Sequence, residues 1–202
     1  MKAFLFDASI CNGCYGCQIA CKDEHCEQAW EGYTAAQPMT GQFWGKITER
    51  EMGKTPFVHV NYKFEACGNC DDCKLLELAE DGAVYRRDDG IIIIDPVKAK
   101  GQEQLRGVCD KVFWNDAEQV AQKCTGCAHL LDDGWDVPRC VDWCPTGALQ
   151  FGEESELDLE GAVPAEPGSH LYYKNLPGRR ICGTVADREI NEIGRASCRE
   201  RV

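Results

Sequence analysis

Fifteen cysteines stand in a chain of 202 residues, most of them in tight groups. Residues 11 to 21 read CNGCYGCQIAC, which sets Cys11, Cys14, Cys17 and Cys21 in the spacing CxxCxxCxxxC. Three thiolates at successive gaps of three wrap one face of a 4Fe-4S cubane, while the fourth, displaced by a helical turn, reaches a different cluster. A second group, KCTGCAHLLDDGWDVPRCVDWCPTG, supplies Cys124, Cys127, Cys140 and Cys144. It ends in the Cys-Pro that closes the bacterial ferredoxin run, and its longer middle gap reads as a loop inserted between ligands. By the exchange rule for such paired runs, Cys11, Cys14 and Cys17 take Cys144 as fourth ligand, and Cys124, Cys127 and Cys140 take Cys21. The chemistry is one-electron transfer. Structural zinc is the competing reading, but zinc ribbons use paired CxxC units and need neither the third nor the fourth cysteine of such a run.

The third group, CGNCDDC, offers only Cys67, Cys70 and Cys73. Further on, GVCDKVFW (residues 107–114) holds Cys109 alone. If Cys109 closes a degenerate run, its three partners by spacing fall at Leu105, Gln102 and Ala99, and the fourth position after Cys73 falls at Glu77. Under the exchange rule those four positions would together hold one cluster, and all four lack sulfur. Cys109 then serves the other cluster, with Cys67, Cys70 and Cys73. This predicts three 4Fe-4S clusters on a scaffold laid out for four, with Cys26, Cys182 and Cys198 outside them. The alternative is that Cys109 is an ordinary thiol in the core.

The elements that must position these ligands follow from composition and pattern. With 44% apolar and 28% charged residues the protein reads as soluble and globular. No apolar run approaches a membrane span, and MKAFLFDASIC is too short and too acidic for a signal peptide. The expectation is no direct membrane insertion and a cytoplasmic location, unless the chain is exported together with a signal-bearing partner. Dense cysteines without a secretory signal point to metal rather than disulfides. A net charge of −12 repels phosphate backbones, so nucleic acid is not expected as a partner.

KAFLFD reads as a strand entering the first run, GAVYRRDDGIIIID and KVFWNDAEQVAQKC as hairpins, and VKAKGQEQLRGVC as helix-like. The fold class is α+β: a duplicated bacterial 4Fe-4S ferredoxin-like domain over residues 1–150, folded with its metal, with a long insertion at 25–62. The insertion carries Trp30, Tyr33, Phe43 and Trp44, which suit either a partner-docking surface or a lid packed over the clusters. His25, His59, His129 and His170 have no metal-like spacing and read as ordinary polar residues, His129 being the one beside a ligand run. Residues 151–180 are acidic, rich in Gly and Pro, and read as a linker.

This cysteine layout resembles the iron-sulfur electron-transfer subunits of molybdopterin oxidoreductases of the dimethyl sulfoxide reductase family. The segments DEH, WEGYTA, GAVYRRDDGIIIIDPVKAKG, VFWNDAEQVAQKCTGCAHLLDD and YYKNLP are similar to the small subunits of pyrogallol hydroxytransferases, a three-cluster branch of that family. The resemblance covers about residues 1 to 180, and departs from the family in the short gap between Cys70 and Cys73. It implies a non-catalytic electron-transfer chain paired with a large subunit that holds the molybdopterin cofactor and meets the substrate. The reaction class it implies is hydroxyl transfer between polyhydroxylated benzenes, with reductive catechol dehydroxylation as the sibling reading. A freestanding ferredoxin and a zinc-stabilised interaction module remain as readings from other classes.

Residues 192–202, EIGRASCRERV, resemble an in-frame translation of a common sequencing adapter, which would make Cys198 an artefact. Residues 181–191 then read as the first strand of a C-terminal β segment that the natural chain continues.

Overall fold

The computed structural model describes residues 1–177. The expectations for a β segment at 181–191 and a non-native tail at 192–202, with Cys182 and Cys198, lie outside those residues.

The fold is α+β, and its centre is β1 (Lys2–Asp7). Ala3, Phe4, Leu5 and Phe6 are all buried, because this strand is covered on both faces and so reads as a continuous apolar run rather than an alternation. It pairs antiparallel with β8 (Leu149–Glu153) and parallel with β10 (Leu171–Lys174), whose other edge takes the short β9 (Val163–Pro164). Phe4 therefore lies opposite Phe151 on one side and Leu171 on the other. The four-stranded sheet sets the first residues of the protein beside its last described strand.

Of residues 151–180, expected as a linker, the described ones up to 177 are instead part of this body, holding the end of β8 and all of β9 and β10. LYYK turns Leu171 and Tyr173 inward and Tyr172 and Lys174 outward, the alternation of a half-buried strand. Composition hid it, since the acidic, Gly- and Pro-rich residues belong to the turns between β8 and β10.

Three hairpins complete the structure. The two expected from sequence form: β4 (Val84–Arg86) with β5 (Ile92–Ile94), and β6 (Phe113–Asn115) with β7 (Val120–Gln122). The third, β2 (Lys46–Lys54) with β3 (Phe57–Glu65), is built largely from the insertion. The stretch expected as helix-like, 97–109, is a series of turns with one 3-10 turn at Glu103–Leu105. Gly101 at φ +78° and Gly107 at φ +67° break any continuous helix there, and the Gly101 N–H bonds to Gln119 across the turn rather than along a helix.

Helices are short: α1 (Gly16–His25), α2 (Lys74–Leu78), α3 (Ala128–Asp132) and α4 (Arg139–Asp142). Each begins beside a cysteine run. The apolar residues divide into two cores. One joins Phe4, Phe6, Trp44, Phe64 and Tyr173 with the buried Cys17, Cys21, Cys67, Cys124 and Cys140. The other joins Leu75, Val84, Ile92, Ile94, Ala99, Leu105, Val112 and Val120, and contains no buried cysteine. No helix among the described residues is long and apolar enough to cross a membrane.

Candidate metal centre

The cysteines meet because chain reversals unite distant runs. Tyr15, at φ +59°, turns the first run into α1, so that Cys17 and Cys21 lie one turn apart on its buried side. Cys127, at φ +50°, does the same for α3. Helix α4 carries Cys140 and packs on α1, which sets the second run against the first.

The mutual electrostatics of the thiols show which of them lie close together. Burial pushes the Cys11 thiol up, and so, more weakly, do Cys144 and Cys14. Cys17 is pushed up to about 12 by burial first and then by Cys144, Cys11 and Cys14. Cys11, Cys14, Cys17 and Cys144 are thus neighbours. Cys21 is likewise raised to about 12, by burial and then by Cys124. Burial and then Cys21 and Cys124 hold the Cys127 thiol well above its ordinary range, and Cys140 answers to burial and then to Cys127, Cys21 and Cys124. In the third set Cys70 is raised by burial, Cys67, Glu166 and Cys73, and Cys109 by burial and then Cys67, Asp110 and Cys73.

Contacts between sets order them. Cys17 acts on both Cys21 and Cys140, and Cys67 acts on Cys124, so the second set stands between the other two. Exposure agrees. All four thiols of the second set are buried, whereas Cys14 of the first and Cys109 of the third are exposed. Cys26 is half-buried and has no place in this pattern.

The donor set suits 4Fe-4S clusters. Thiolates are the ligands iron-sulfur clusters take, and hydrogen bonds to sulfur are the protein's means of stabilising the charge they share. Here Gly126 donates its N–H to Cys124 Sγ at 3.4 Å, and Leu149 donates to Cys144 Sγ at 3.4 Å. The N–H groups of Gly13, Gln18, Gly45, Arg139 and Lys111 act in the same sense on Cys11, Cys17, Cys21, Cys127 and Cys109. Space is tight around them. A Cβ on Gly45 would lie 3.4 Å from Cys21 Sγ, and one on Gly13 would lie 2.1 Å from the ring of Tyr62 on β3.

His25, read from spacing as an ordinary polar residue, stands at the centre. His25 is 1% exposed, and its Nε2 lies 3.7 Å from Cys127 Sγ. Burial first, and then His129, pulls its pKa down to about 3, so it stands neutral beside the second set. His129 bonds through Nε2 to Glu24 at 3.1 Å and stacks on Trp30 at 4.1 Å. Trp44 is buried with its ring 4.8 Å from His25, and the Tyr33 hydroxyl donates to Asp132. Trp30, Tyr33 and Trp44 of the insertion therefore pack against His25 and His129, beside Cys127. Lys123 and Arg86 reach the ligand loops through backbone carbonyls, a role that no spacing in the sequence signals.

Comparison with known proteins agrees with the geometry. Residues 58–154 match the family model of the 4Fe-4S dicluster domain. The protein is 38% identical to the pyrogallol hydroxytransferase small subunit of Pelobacter acidigallici, over 85% of this chain and 68% of that protein. It is 29% identical to a putative dimethyl sulfoxide reductase iron-sulfur subunit of Halobacterium salinarum, over 76% of this chain and 66% of that protein. It is also 28% identical to the thiosulfate reductase electron transfer subunit of Salmonella typhi, over 95% of each. With these relatives and this cysteine arrangement, the protein belongs to the family of iron-sulfur electron-transfer subunits that includes the pyrogallol hydroxytransferase small subunit and those of the dimethyl sulfoxide and thiosulfate reductases.

Proposed function

We propose that this chain holds three 4Fe-4S clusters and serves as the electron-transfer subunit of a molybdopterin enzyme that moves hydroxyl groups among polyhydroxylated benzenes. What supports the reading most is that each cysteine run lies among the thiols the exchange rule pairs it with, Cys17 beside Cys144, Cys140 beside Cys21 and Cys109 beside Cys67, in a chain 38% identical to a pyrogallol hydroxytransferase small subunit. The ligand sets are Cys11, Cys14, Cys17 and Cys144; Cys21, Cys124, Cys127 and Cys140; and Cys67, Cys70, Cys73 and Cys109. When bound, the clusters supply one-electron steps. The protein's own residues hold the sulfurs, direct N–H groups at them, and keep water from the middle set.

Three clusters rather than four is supported by what fills the place of the fourth. Ala99 and Leu105 are 0% exposed and lie in the second core among Leu75, Val84 and Ile92. Gln102 spends its side chain on the backbone of Glu80 and Lys98, and Glu77 points to solvent. On this reading the scaffold is a doubled ferredoxin whose fourth site has become apolar packing. Ile10, Ile19 and Trp143 stand exposed, Ile10 next to Cys11 in the chain, Ile19 on α1 and Trp143 against Gly16 beside Cys14, and they form the contact face for a large molybdopterin-bearing subunit.

The two-subunit complex tests the reaction class. Hydroxyl transfer between two polyphenols needs no net electrons, so pyrogallol with a catalytic amount of cosubstrate should give a rearranged trihydroxybenzene without a stoichiometric donor. Strict dependence on reduced viologen, with a dihydroxy product, would give the partner to reductive dehydroxylation instead. Turnover of phenols by this chain alone would remove the electron-transfer role.

A further inference from the structure

We infer that Lys123 is a fixed counter-charge between the second and third cysteine sets and that it raises the reduction potentials of both sites together. The inference rests on the cluster-binding reading given above. Lys123 is 2% exposed, at the start of the second ligand run. Its ammonium donates to the carbonyl oxygens of Ile92 and Cys124, the latter at 3.0 Å, and to Asn69 Oδ1 at 3.3 Å. All three acceptors are neutral, and among the described residues Lys123 forms no ion pair with a carboxylate. A buried ammonium left with neutral partners alone is costly, so its placement calls for a nearby anion.

The anions at hand are the ligand thiolates, from two sets at once. Cys124 is the next residue in the chain, and Asn69 lies between Cys67 and Cys70. The two runs adjoin at this point, since the one ammonium reaches both Asn69 of the third run and the Cys124 carbonyl of the second. Asn69 is itself fixed in place. It is buried at φ +49°, and the same Oδ1 accepts from the Ile92 N–H at 3.1 Å. The lysine is thus anchored to both ligand loops, whereas the first set lies beyond the second.

The consequence is electrostatic. Reduction adds one negative charge to a site with no bond made or broken in the protein, and a fixed positive charge nearby stabilises that added electron. Lys123 is a positioning residue in this sense, and its effect falls on two sites out of three.

The test is an EPR-monitored redox titration of the assembled complex, comparing wild type with Lys123→Met and Lys123→Arg. Iron content should stay at about twelve per copy of this subunit. In Lys123→Met two of the three midpoint potentials should fall, each by about a tenfold change in the reduction equilibrium, which for a one-electron couple is about 59 mV. The third should stay, and Lys123→Arg should restore the pair. Three unmoved potentials, or three that move equally, would overturn the inference. Should Lys123→Met lose iron, Lys123→Gln keeps donors without charge and its potentials decide in the same way; iron loss in the Gln and Arg variants alike would make Lys123 a purely structural anchor and overturn the inference. A wild-type subunit short of twelve irons would instead remove the reading beneath it.

Discussion

Two positions four residues apart, 105 and 109, should respond to mutation in opposite ways. In a four-cluster scaffold both would carry ligands. Here Leu105 is fully buried in the apolar second core, whereas Cys109 is exposed and neighbours Cys67 and Cys73. Leu105→Ala removes three carbons from a closed site, which costs about 3 kcal/mol in transfer and cavity terms. For a domain of this size each kcal/mol moves the unfolding midpoint by roughly 2–4 °C, so the expected drop is about 6–12 °C. Iron should remain at about twelve per chain, because no ligand is touched. Cys109→Ser should do the reverse at the metal: about four irons lost, with visible absorbance reduced by about a third and the remaining two clusters intact. The assays are colorimetric iron, the dithionite-bleached visible spectrum and thermal unfolding followed by circular dichroism under anaerobic conditions. If Leu105→Ala sheds four irons, or Cys109→Ser retains all twelve, the assignment of these positions is wrong.

Gly13→Ala places a Cβ 2.1 Å from the Tyr62 ring and forces a left-handed backbone at φ +69° on a residue that resists it by about 1–2 kcal/mol, so the first set should lose iron selectively. Adding Tyr62→Ala should restore part of that loss, and full iron content in the single variant would contradict the argument. Arg87 pairs with Asp89 and with Asp132 at 2.7 Å, tying the β4–β5 hairpin to α3. Arg87→Met should lower the midpoint by no more than the few degrees that correspond to about 1 kcal/mol, given that Asp132 is 41% exposed and screened by solvent. Arg87 first, and then Tyr33, hold the Asp132 carboxyl down to about 2. Its folded pKa is below the unfolded value of roughly 3.9, so the contribution is complete above about pH 4 and disappears as pH falls through about 2. The Arg87→Met penalty should therefore be flat between about pH 5.5 and 8.5, and a slope there would count against the pairing. Removing iron with a chelator should dissolve tertiary packing, because five buried thiols stand inside the main core. Near-UV circular dichroism should collapse and a hydrophobic dye should bind; a sharp thermal transition in the iron-free protein would mean that the scaffold holds without metal.

Local covalent spacing is what singled out the proposed ligands. Three cysteines at gaps of three have few structural uses other than wrapping one metal cluster, so Cys11, Cys14 and Cys17 announce themselves, and the exchange rule extends the reading to Cys21 and Cys144. The same holds for short-range signals in the backbone. Asp89-Gly90 between apolar runs makes the β4–β5 hairpin, and the turn chemistry needs nothing from the rest of the protein. Long-range packing was not legible. LYYK carries the alternation of a strand, but pairing with β1 and β9 makes it one, and the register partners Phe4 and Leu171 lie at opposite ends of the described residues. The apparent helix at 97–109 failed because Gly101 and Gly107 take positive φ, which a glycine permits and a spacing rule cannot foresee. The order of the three sets, the neutral His25 beside Cys127 and the buried Lys123 between two ligand loops were decided by tertiary structure alone. Burial, desolvation and charge proximity arise from residues far apart in sequence, and they exist only once α1, α4 and the central sheet have closed around the thiols.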